Sequence, residues 1–592
     1  MGNRIAFERY YGAIVLLFAS LIYLGCIVSP PSLMDDVDAV QAQIARNMLD
    51  SGDWVTARLD GVAYLEKSPL KYWMIAVSYM IFGTHDWAAR IPLALGTILL
   101  CWLAYLMGRW AFSALAGFYA GMILATCIGL WLFTRIQIPD AILTATIALA
   151  MWSLLRVLDE DEPRPRLWAA SLAASIAVGL LLKGLIAAVF PVAAGLLYLA
   201  FTKQLFSIET WKRIRPFSGI AIVLIIAAPW HVLATLRNPP YFDFTMKSEP
   251  GHYHGFFWFY FFNEHVFRFL NMRYPRDYNT VPRALFWLFH LLWLFPWSVW
   301  FPKLAQLNYK PVNRAGRMRL LCLCWTGFLL TFFTFSTTQE YYSMPCYPAL
   351  ALLLGSAMVA EDRLSLIGSR ALAAISLLAA IAVGAIFFTV RNLPTPGDIS
   401  SALTQNPDAY TLSLGHMGDL TLESFAYLRL PLLVAGAAFL IGAWGAWRLR
   451  AARRAIALAA MMTLFFHAAR LALIAFDPYL SSRPLAEALL QQPQGQLIVD
   501  DQYYTFSSVF FYTNRRALLL NGRVNNLEYG SYAPGAEQVF IGDEDFAARW
   551  KSNERYYLVI EKPRLARLEK LVGSAAIHIK RESGGKLLAG NH

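Results

Sequence analysis

Three carboxylates, Asp35, Asp36 and Asp38, crowd the exit of one apolar run, and a fourth, Asp140, follows Ile138-Pro139 at the end of another. An acid held at a membrane rim is costly and usually functional. Two such acids from distant parts of the chain are the minimum for acid/base work, or for gripping a sugar's hydroxyl or amino groups. A solvated cap suits at least one of Asp35, Asp36 and Asp38; Asp36, Asp38 and Asp140 are the candidate catalytic set. Cations stand close by in the same kind of place. Lys67, in Glu66-Lys67-Ser68-Pro69, would present an ammonium at headgroup depth and hold a phosphate as a mobile point charge. Snorkelling beside a span is its competing reading. Lys183-Gly184 between two apolar runs fits a phosphate contact or a plain boundary.

The richest segment runs from His252 to Phe269 and ends in Glu264, His265 and Arg268 at i, i+1 and i+4. Arg268 and Arg273 have the planar fork that matches phosphate oxygens. His265 with Glu66, His252 or His254 has donors for a divalent metal such as zinc, although spacing alone serves a hydrogen-bonding histidine equally well. Tyr341-Tyr342 reads either as a pair of interfacial anchors or as hydrogen-bonding groups for a phosphate or sugar. The candidate substrate-binding set is Lys67, Arg268, Lys183, Tyr64, Arg58, Tyr342 and Tyr347; the candidate metal pair is Glu66 and His265.

What must position these residues is a membrane. The 592-residue chain is 57% hydrophobic and 15% charged, against about half and a quarter for a soluble protein. Its apolar runs approach or exceed the ~20 residues needed to cross a bilayer. They read as thirteen spans near 11–29, 86–108, 112–133, 137–156, 167–182, 184–201, 217–236, 282–302, 318–336, 342–359, 371–390, 429–447 and 455–476. The net charge of +12 could signal nucleic acid, but the basic residues gather in short loops. Lys212, Arg213 and Arg215 share one, Arg314, Arg317 and Arg319 another, and Arg448, Arg450, Arg453 and Arg454 a third. That is the positive-inside pattern of a membrane protein. With Arg4 and Arg9 in the cytoplasm, thirteen spans put loops 30–85, 237–281 and 391–428 outside with the tail. The expected division is therefore 1–476 as a membrane domain and 477–592 as an outer domain.

Within the first loop, Val40, Ile44 and Met48 form one apolar stripe, which predicts a helix lying at the interface, with Asp35 or Asp36 as cap and Gly52 as stop. Pro69 to Phe82 predicts a second. In the tail, 496–499, 539–541 and 556–560 read as short buried strands, and 485–491 and 563–571 as helices, enough for a small α/β domain. The six cysteines lie in or beside apolar runs and the tail has none, so disulfides do not hold it.

The stretch from Asp36 to Phe82 resembles the first outer loop of bacterial type-C glycosyltransferases of the protein-mannosyltransferase-like family, nearest to its lipid A aminoarabinose transferase branch. The pieces are A-x-I-A-R-N-M-L-x-S-G-D-W at 42–54 and L-E-K-S-P-L-K-Y-W at 65–73. Ile138-Pro139-Asp140, Leu182-Lys183-Gly184, Pro229-Trp230, Glu264-His265 with Arg268-Phe269, Phe295-Pro296-Trp297, and Tyr342 with Pro345 and Pro348 extend the likeness to about residue 360. Two positions depart from the pattern. The family's adjacent Asp-Glu falls on Val37 and Asp38, and Gln339 stands where its members tend to have lysine.

The resemblance implies transfer of a sugar from undecaprenyl phosphate to an acceptor at the periplasmic face of the bacterial inner membrane. In the aminoarabinose branch the donor is undecaprenyl-phosphate-4-amino-4-deoxy-L-arabinose and the acceptor a lipid A phosphate. The product is a less anionic surface that resists polymyxin-type cationic peptides. The expected partners are those two lipids and the surrounding bilayer, with no nucleic acid and a monomeric enzyme. Two rivals stay open: the same chemistry on another glycan, lipid or protein hydroxyl, and a lipid flippase, which predicts charges at midplane instead of one rim.

Overall fold

The computed structural model describes residues 8–247, 249–276, 280–404 and 414–592; Arg4 lies outside them. The chain is a polytopic helical membrane protein that carries an α/β unit at its C-terminal end. Among the described residues eight helices are long and apolar enough to cross a membrane, or nine if one bent pair counts as a single span. The thirteen spans expected from the sequence are therefore a miscount, and the five surplus runs show why.

The run at 11–29 yields only the 13-residue helix Tyr11–Tyr23. At 112–133 the backbone turns extended at Cys127 and splits the run into Ala114–Thr126 and Ile128–Phe133. At 184–201 the helix starts only after Gly184, whose φ of +79° lies outside the helical region, and covers Ile186–Phe201. The run at 282–302 bends by 103° between Arg283–Trp293 and Trp297–Gln306, where Pro296 has no amide proton to continue the ladder. At 342–359 a tight turn, Glu340–Cys346, precedes the 12-residue helix Tyr347–Met358. Hydropathy sees an apolar run but not its breaks. With the number thirteen goes the parity argument for which side the tail occupies.

Asp86–Ala111 and Asp140–Leu158 lie mostly inside the bundle, whereas Arg363–Val390 exposes most of its surface, as a lipid-facing helix must. Small residues allow the inner helices to touch: a Cβ on Gly108 would stand 2.7 Å from the Cα of Gly117, the close approach that membrane helices use for packing.

The first outer loop folds as helix Val37–Ser51, a hairpin of β1 (Arg58–Leu59) and β2 (Val62–Ala63), and helix Leu70–Phe82. Gly52 ends the first helix in the left-handed conformation, as expected, and Asp36 stands at its N-cap position without a side-chain capping bond. The helix is not the half-exposed one that a single apolar stripe predicts. Asp38 through Ala45 are all buried, enclosed between Leu70–Phe82 and helix Ser507–Thr513 of the tail.

The tail forms one six-stranded sheet of β3 (Gln496–Asp500), β4 (Ala517–Leu520), β5 (Phe540–Ile541), β6 (Tyr556–Glu561), β7 (His578–Ser583) and β8 (Lys586–Gly590), in the order β5-β4-β3-β6-β8-β7. The first four strands are parallel and β8 and β7 add antiparallel at the edge. The central strands are continuous apolar runs because both faces are covered. Helix Arg483–Leu490 leads in and helix Leu565–Val572 follows β6.

The loop and the tail are bound together by buried polar contacts. Lys586 Nζ donates to Asp35 Oδ2 at 2.6 Å, to Ser482 Oγ and to the Thr505 carbonyl. At the tip of the β1–β2 hairpin, Asp60 Oδ1 accepts the Ala517 amide at 3.2 Å. Burial pushes the Asp60 carboxyl up to about 7, against the pull of the Ala517 amide and Arg516. The native protein thus keeps a proton that the unfolded chain loses near pH 4, and stability should fall as pH rises from about 4 to 7. Asp60→Asn, which cannot ionise, should flatten that slope. Thermal unfolding in detergent at pH 5 and pH 7 measures it, and an unchanged slope would refute the assignment.

Candidate active site

Five segments far apart in the chain meet at one end of the bundle. The stretch Tyr64–Ser68 follows the hairpin, helix Gly255–Phe257 and the wider turn Trp258–Phe267 supply the second segment, and Asp140 and Lys183 come from the ends of two spans. The turn Glu340–Cys346 supplies the fifth. Trp258–Phe267 is wound as a π-helix, a rare form that is frequent at functional sites.

Glu66 is the hub. Its carboxylate contacts Lys67, accepts the Tyr64 hydroxyl at 2.7 Å and lies 3.7 Å from Arg268 Nη1. Burial alone would raise its proton affinity, but Lys67, Arg273 and Arg268 outweigh burial and hold Glu66 well below the usual carboxylate range. Glu264 repeats the pattern: it accepts Arg268 Nη1 at 2.9 Å and pairs with Arg273. Arg268 Nε donates to the Tyr342 hydroxyl at 3.1 Å. Across the cavity Lys183 Nζ meets Asp140 Oδ1 at 2.6 Å and stands 5.0 and 5.3 Å from the ring centres of Tyr341 and Tyr342.

Two cavities open on this cluster. One, of about 400 Å³, is walled by Val189, Phe190, Phe269, Phe332 and Phe333, and has Lys67, Asp140, Lys183 and Arg268 at its polar end. The other, of about 810 Å³, is lined by Asp36, Tyr64, Gln137, Gln339 and, from the tail, Gln502, Asn526 and Lys586. Glu66, Lys67, Arg268 and Tyr341 line both. An apolar chain fits the first cavity and a polar headgroup the second, and the cations sit where the two would meet.

Of the residues singled out in the sequence, Lys67, Arg268, Lys183, Asp140, Tyr64, Tyr342 and Glu66 assemble here. Asp36 reaches the polar cavity. Asp38 lies apart, buried 3.3 Å from Arg90 Nη2. Tyr347 is fully buried against Gly129 and lines neither cavity. Arg58 is exposed on the hairpin, donates to the Gly61 carbonyl and lines a separate cavity. Arg273, expected on a phosphate, is wholly enclosed by Glu264, the Pro275 carbonyl and Asn526.

Glu66 and His265, the candidate metal pair, line the same cavity, but each is engaged with protein partners. His265 Nδ1 donates to the Tyr260 carbonyl at 2.6 Å and Nε2 accepts the Leu185 amide at 3.0 Å, so both ring nitrogens are engaged. Burial pushes its imidazole down to about 4. Among the described residues no group of three or more His, Cys, Asp or Glu is placed to hold a metal ion. Sequence reading missed Asn526, Lys586 and Gln41, which accepts from Lys71 Nζ at 3.3 Å. None sits in a motif, and the first two lie over 450 residues from the carboxylates they meet, Glu66 and Asp35.

Comparison with known proteins places this geometry. The family model for dolichyl-phosphate-mannose-protein mannosyltransferase matches residues 66–232. Undecaprenyl phosphate-alpha-4-amino-4-deoxy-L-arabinose arabinosyl transferase 2 of Pseudomonas fluorescens is 29% identical over 383 residues, 63% of this chain and 60% of its own length. The chain thus spans about 60% of that relative. The corresponding transferase of Erwinia tasmaniensis is 25% identical over 562 residues, 92% of this chain and 91% of its own. The crystal structure of ArnT from Cupriavidus metallidurans bound to undecaprenyl phosphate superposes with a TM-score of 0.76 over 100% of this chain and 98% of that one, at 20% identity, which shows a shared fold. The chain is thus similar in sequence to undecaprenyl phosphate-aminoarabinose transferases and shares the fold of ArnT from Cupriavidus metallidurans.

Proposed function

We propose that this chain is an integral membrane glycosyltransferase that moves a sugar from a polyprenyl phosphate to a lipid acceptor. The finer reading is 4-amino-4-deoxy-L-arabinose passed from undecaprenyl phosphate to a lipid A phosphate, with resistance to cationic peptides as the outcome. The observation that carries it is the pair of cavities, one apolar and one polar, sharing Lys67 and Arg268. The named substrates of the relatives and the fold shared with ArnT support it. Charged groups gathered at one end of the bundle favour bond-making over a flippase.

In this reading the donor's polyprenyl chain lies in the apolar cavity and its phosphate faces Lys67, Arg268 and Lys183. Three cations, Lys67, Arg268 and Arg273, surround two carboxylates, Glu66 and Glu264, leaving one positive charge for the phosphate. The acceptor oxygen forms a bond to the sugar's anomeric carbon from the polar cavity while the bond from that carbon to the donor phosphate oxygen breaks. That electron pair leaves with the polyprenyl phosphate, which gains a negative charge that Lys67 and Arg268 stabilise. The result is inversion at the anomeric carbon. A phosphate acceptor is already anionic at neutral pH and needs little general-base help; an alcohol would need more. Asp36 and Asp140 are placed to grip the sugar's amino group or orient the acceptor. We assign the site and residues 477–592 to the periplasmic face of the inner membrane, with a monomer as the working unit.

Lys67→Ala and Arg268→Ala should each lower kcat/KM by about 10²- to 10³-fold, in protein that still folds in detergent although the loss of a cation beside Glu66 lowers its unfolding temperature. Unaltered turnover would remove both residues from the mechanism. Mass spectrometry of lipid A and undecaprenyl phosphates should find aminoarabinose on lipid A only in cells that make this protein. A different modified lipid or glycan would reassign the acceptor.

A further inference from the structure

The cations of the site are held by a closed polar ring, and one link comes from the tail. Asn526 Nδ2 donates to Glu66 Oε2 at 2.5 Å, and Asn526 Oδ1 accepts Arg273 Nη2 at 2.6 Å. Arg273 pairs with one oxygen of Glu264, and the other accepts Arg268 Nη1. Arg268 Nη1, 3.7 Å from Glu66 Oε1, closes the circuit. Glu66, Glu264, Arg273 and Asn526 are all buried, Asn526 with 3% of its surface exposed.

The short helix that carries Asn526, Asn525–Ser531, is anchored on the same loops. Tyr529 stacks on Phe259 with ring centres 4.1 Å apart, accepts the His254 amide and donates to the Gly255 carbonyl. The Tyr274 hydroxyl donates to Glu528 at 2.6 Å.

We infer that Asn526 is a positioning residue through which the C-terminal domain sets the phosphate-binding cations: it orients the Glu66 carboxylate so that Oε1 faces Lys67 and Arg268. The inference rests on the transferase reading above. An amide is the group this link requires, because it must donate to one side and accept from the other. A carboxylate at 526 could accept from Arg273 but would oppose Glu66 and cancel the ring's spare positive charge.

The test compares wild type, Asn526→Ala, Asn526→Asp and the double replacement Glu66→Gln with Asn526→Asp. Readouts are turnover of a polyprenyl-phosphate sugar, binding of undecaprenyl phosphate, and thermal unfolding. Asn526→Asp is nearly isosteric yet should lower kcat/KM and phosphate-lipid affinity about tenfold or more at neutral pH. Its activity should recover as pH falls, because one carboxyl of the pair then keeps a proton and donates as the amide did. The double replacement, which restores a donor–acceptor pair at unchanged net charge, should regain part of the loss, the rest being the carboxylate that Lys67 and Arg268 no longer meet at position 66. Equal behaviour of all four proteins, or a double replacement as weak as Asn526→Asp with no recovery at low pH, would overturn the inference. A wild type that binds undecaprenyl phosphate but transfers no sugar would refute the transferase reading alone, and the binding series would still decide the role of Asn526.

Discussion

A buried carboxylate must be matched by cations, and in this protein that requirement organises the site. Glu66 is almost fully enclosed, where an isolated charge is expensive. Lys67 and Arg268 stand beside it, and Tyr64 and Asn526 bond its second oxygen. The arrangement has a by-product. Three like charges that would repel each other are held within one small region by two acids, and the one positive charge in excess faces the cavities through Lys67 and Arg268 before any ligand arrives. Preorganised charge of this kind stabilises a leaving phosphate without reorganisation at the moment of reaction.

The membrane fold is the means by which such a cluster is built. Asp140 and Lys183 lie at the ends of spans, one at a helix start and one at a helix end, so their position along the bilayer normal is fixed by the bundle. The remaining groups come from loops that would be mobile alone. They are locked against the C-terminal sheet, by Lys586 on Asp35, by Asp60 on β4 and by the helix Asn525–Ser531 on the aromatic segment. The tail is thus part of the wall of the polar cavity. The breaks that reduce thirteen apolar runs to eight or nine spans fall partly beside the site. Gly184 follows Lys183 directly, and the turn Glu340–Cys346 presents Tyr341 and Tyr342. Interrupted helices near the site replace regular ladder with side chains and backbone that can be aimed.

Much of this was legible before folding. Apolar runs mark the membrane class because every segment crossing a bilayer must carry its own hydrophobic surface. Lys67, Lys183, Arg268 and Asp140 stand out because a charge beside an apolar run needs a reason to be there. The three expected tail strands match β3, β5 and β6, since a strand covered on both faces has a continuous apolar sequence. Strands β4, β7 and β8 escaped notice: β4 is only four residues long, and β7 is largely exposed and polar, its place depending on pairing with β8. The number of spans was misread because a window of hydropathy averages over the glycine, the proline and the extended residue at which a helix stops.

What the sequence determined by itself is which residues carry charge at a membrane rim and which family pattern they follow. Only the tertiary structure decided how those charges are shared. It sent Asp38 to Arg90, enclosed Arg273, engaged both nitrogens of His265, left Arg58 on an outlying hairpin, and brought Asn526 across some 460 residues to Glu66. The reason is that a side chain's chemistry is local to its atoms, but a hydrogen bond needs a partner within about 3 Å, and chain separation says nothing about which partner that will be.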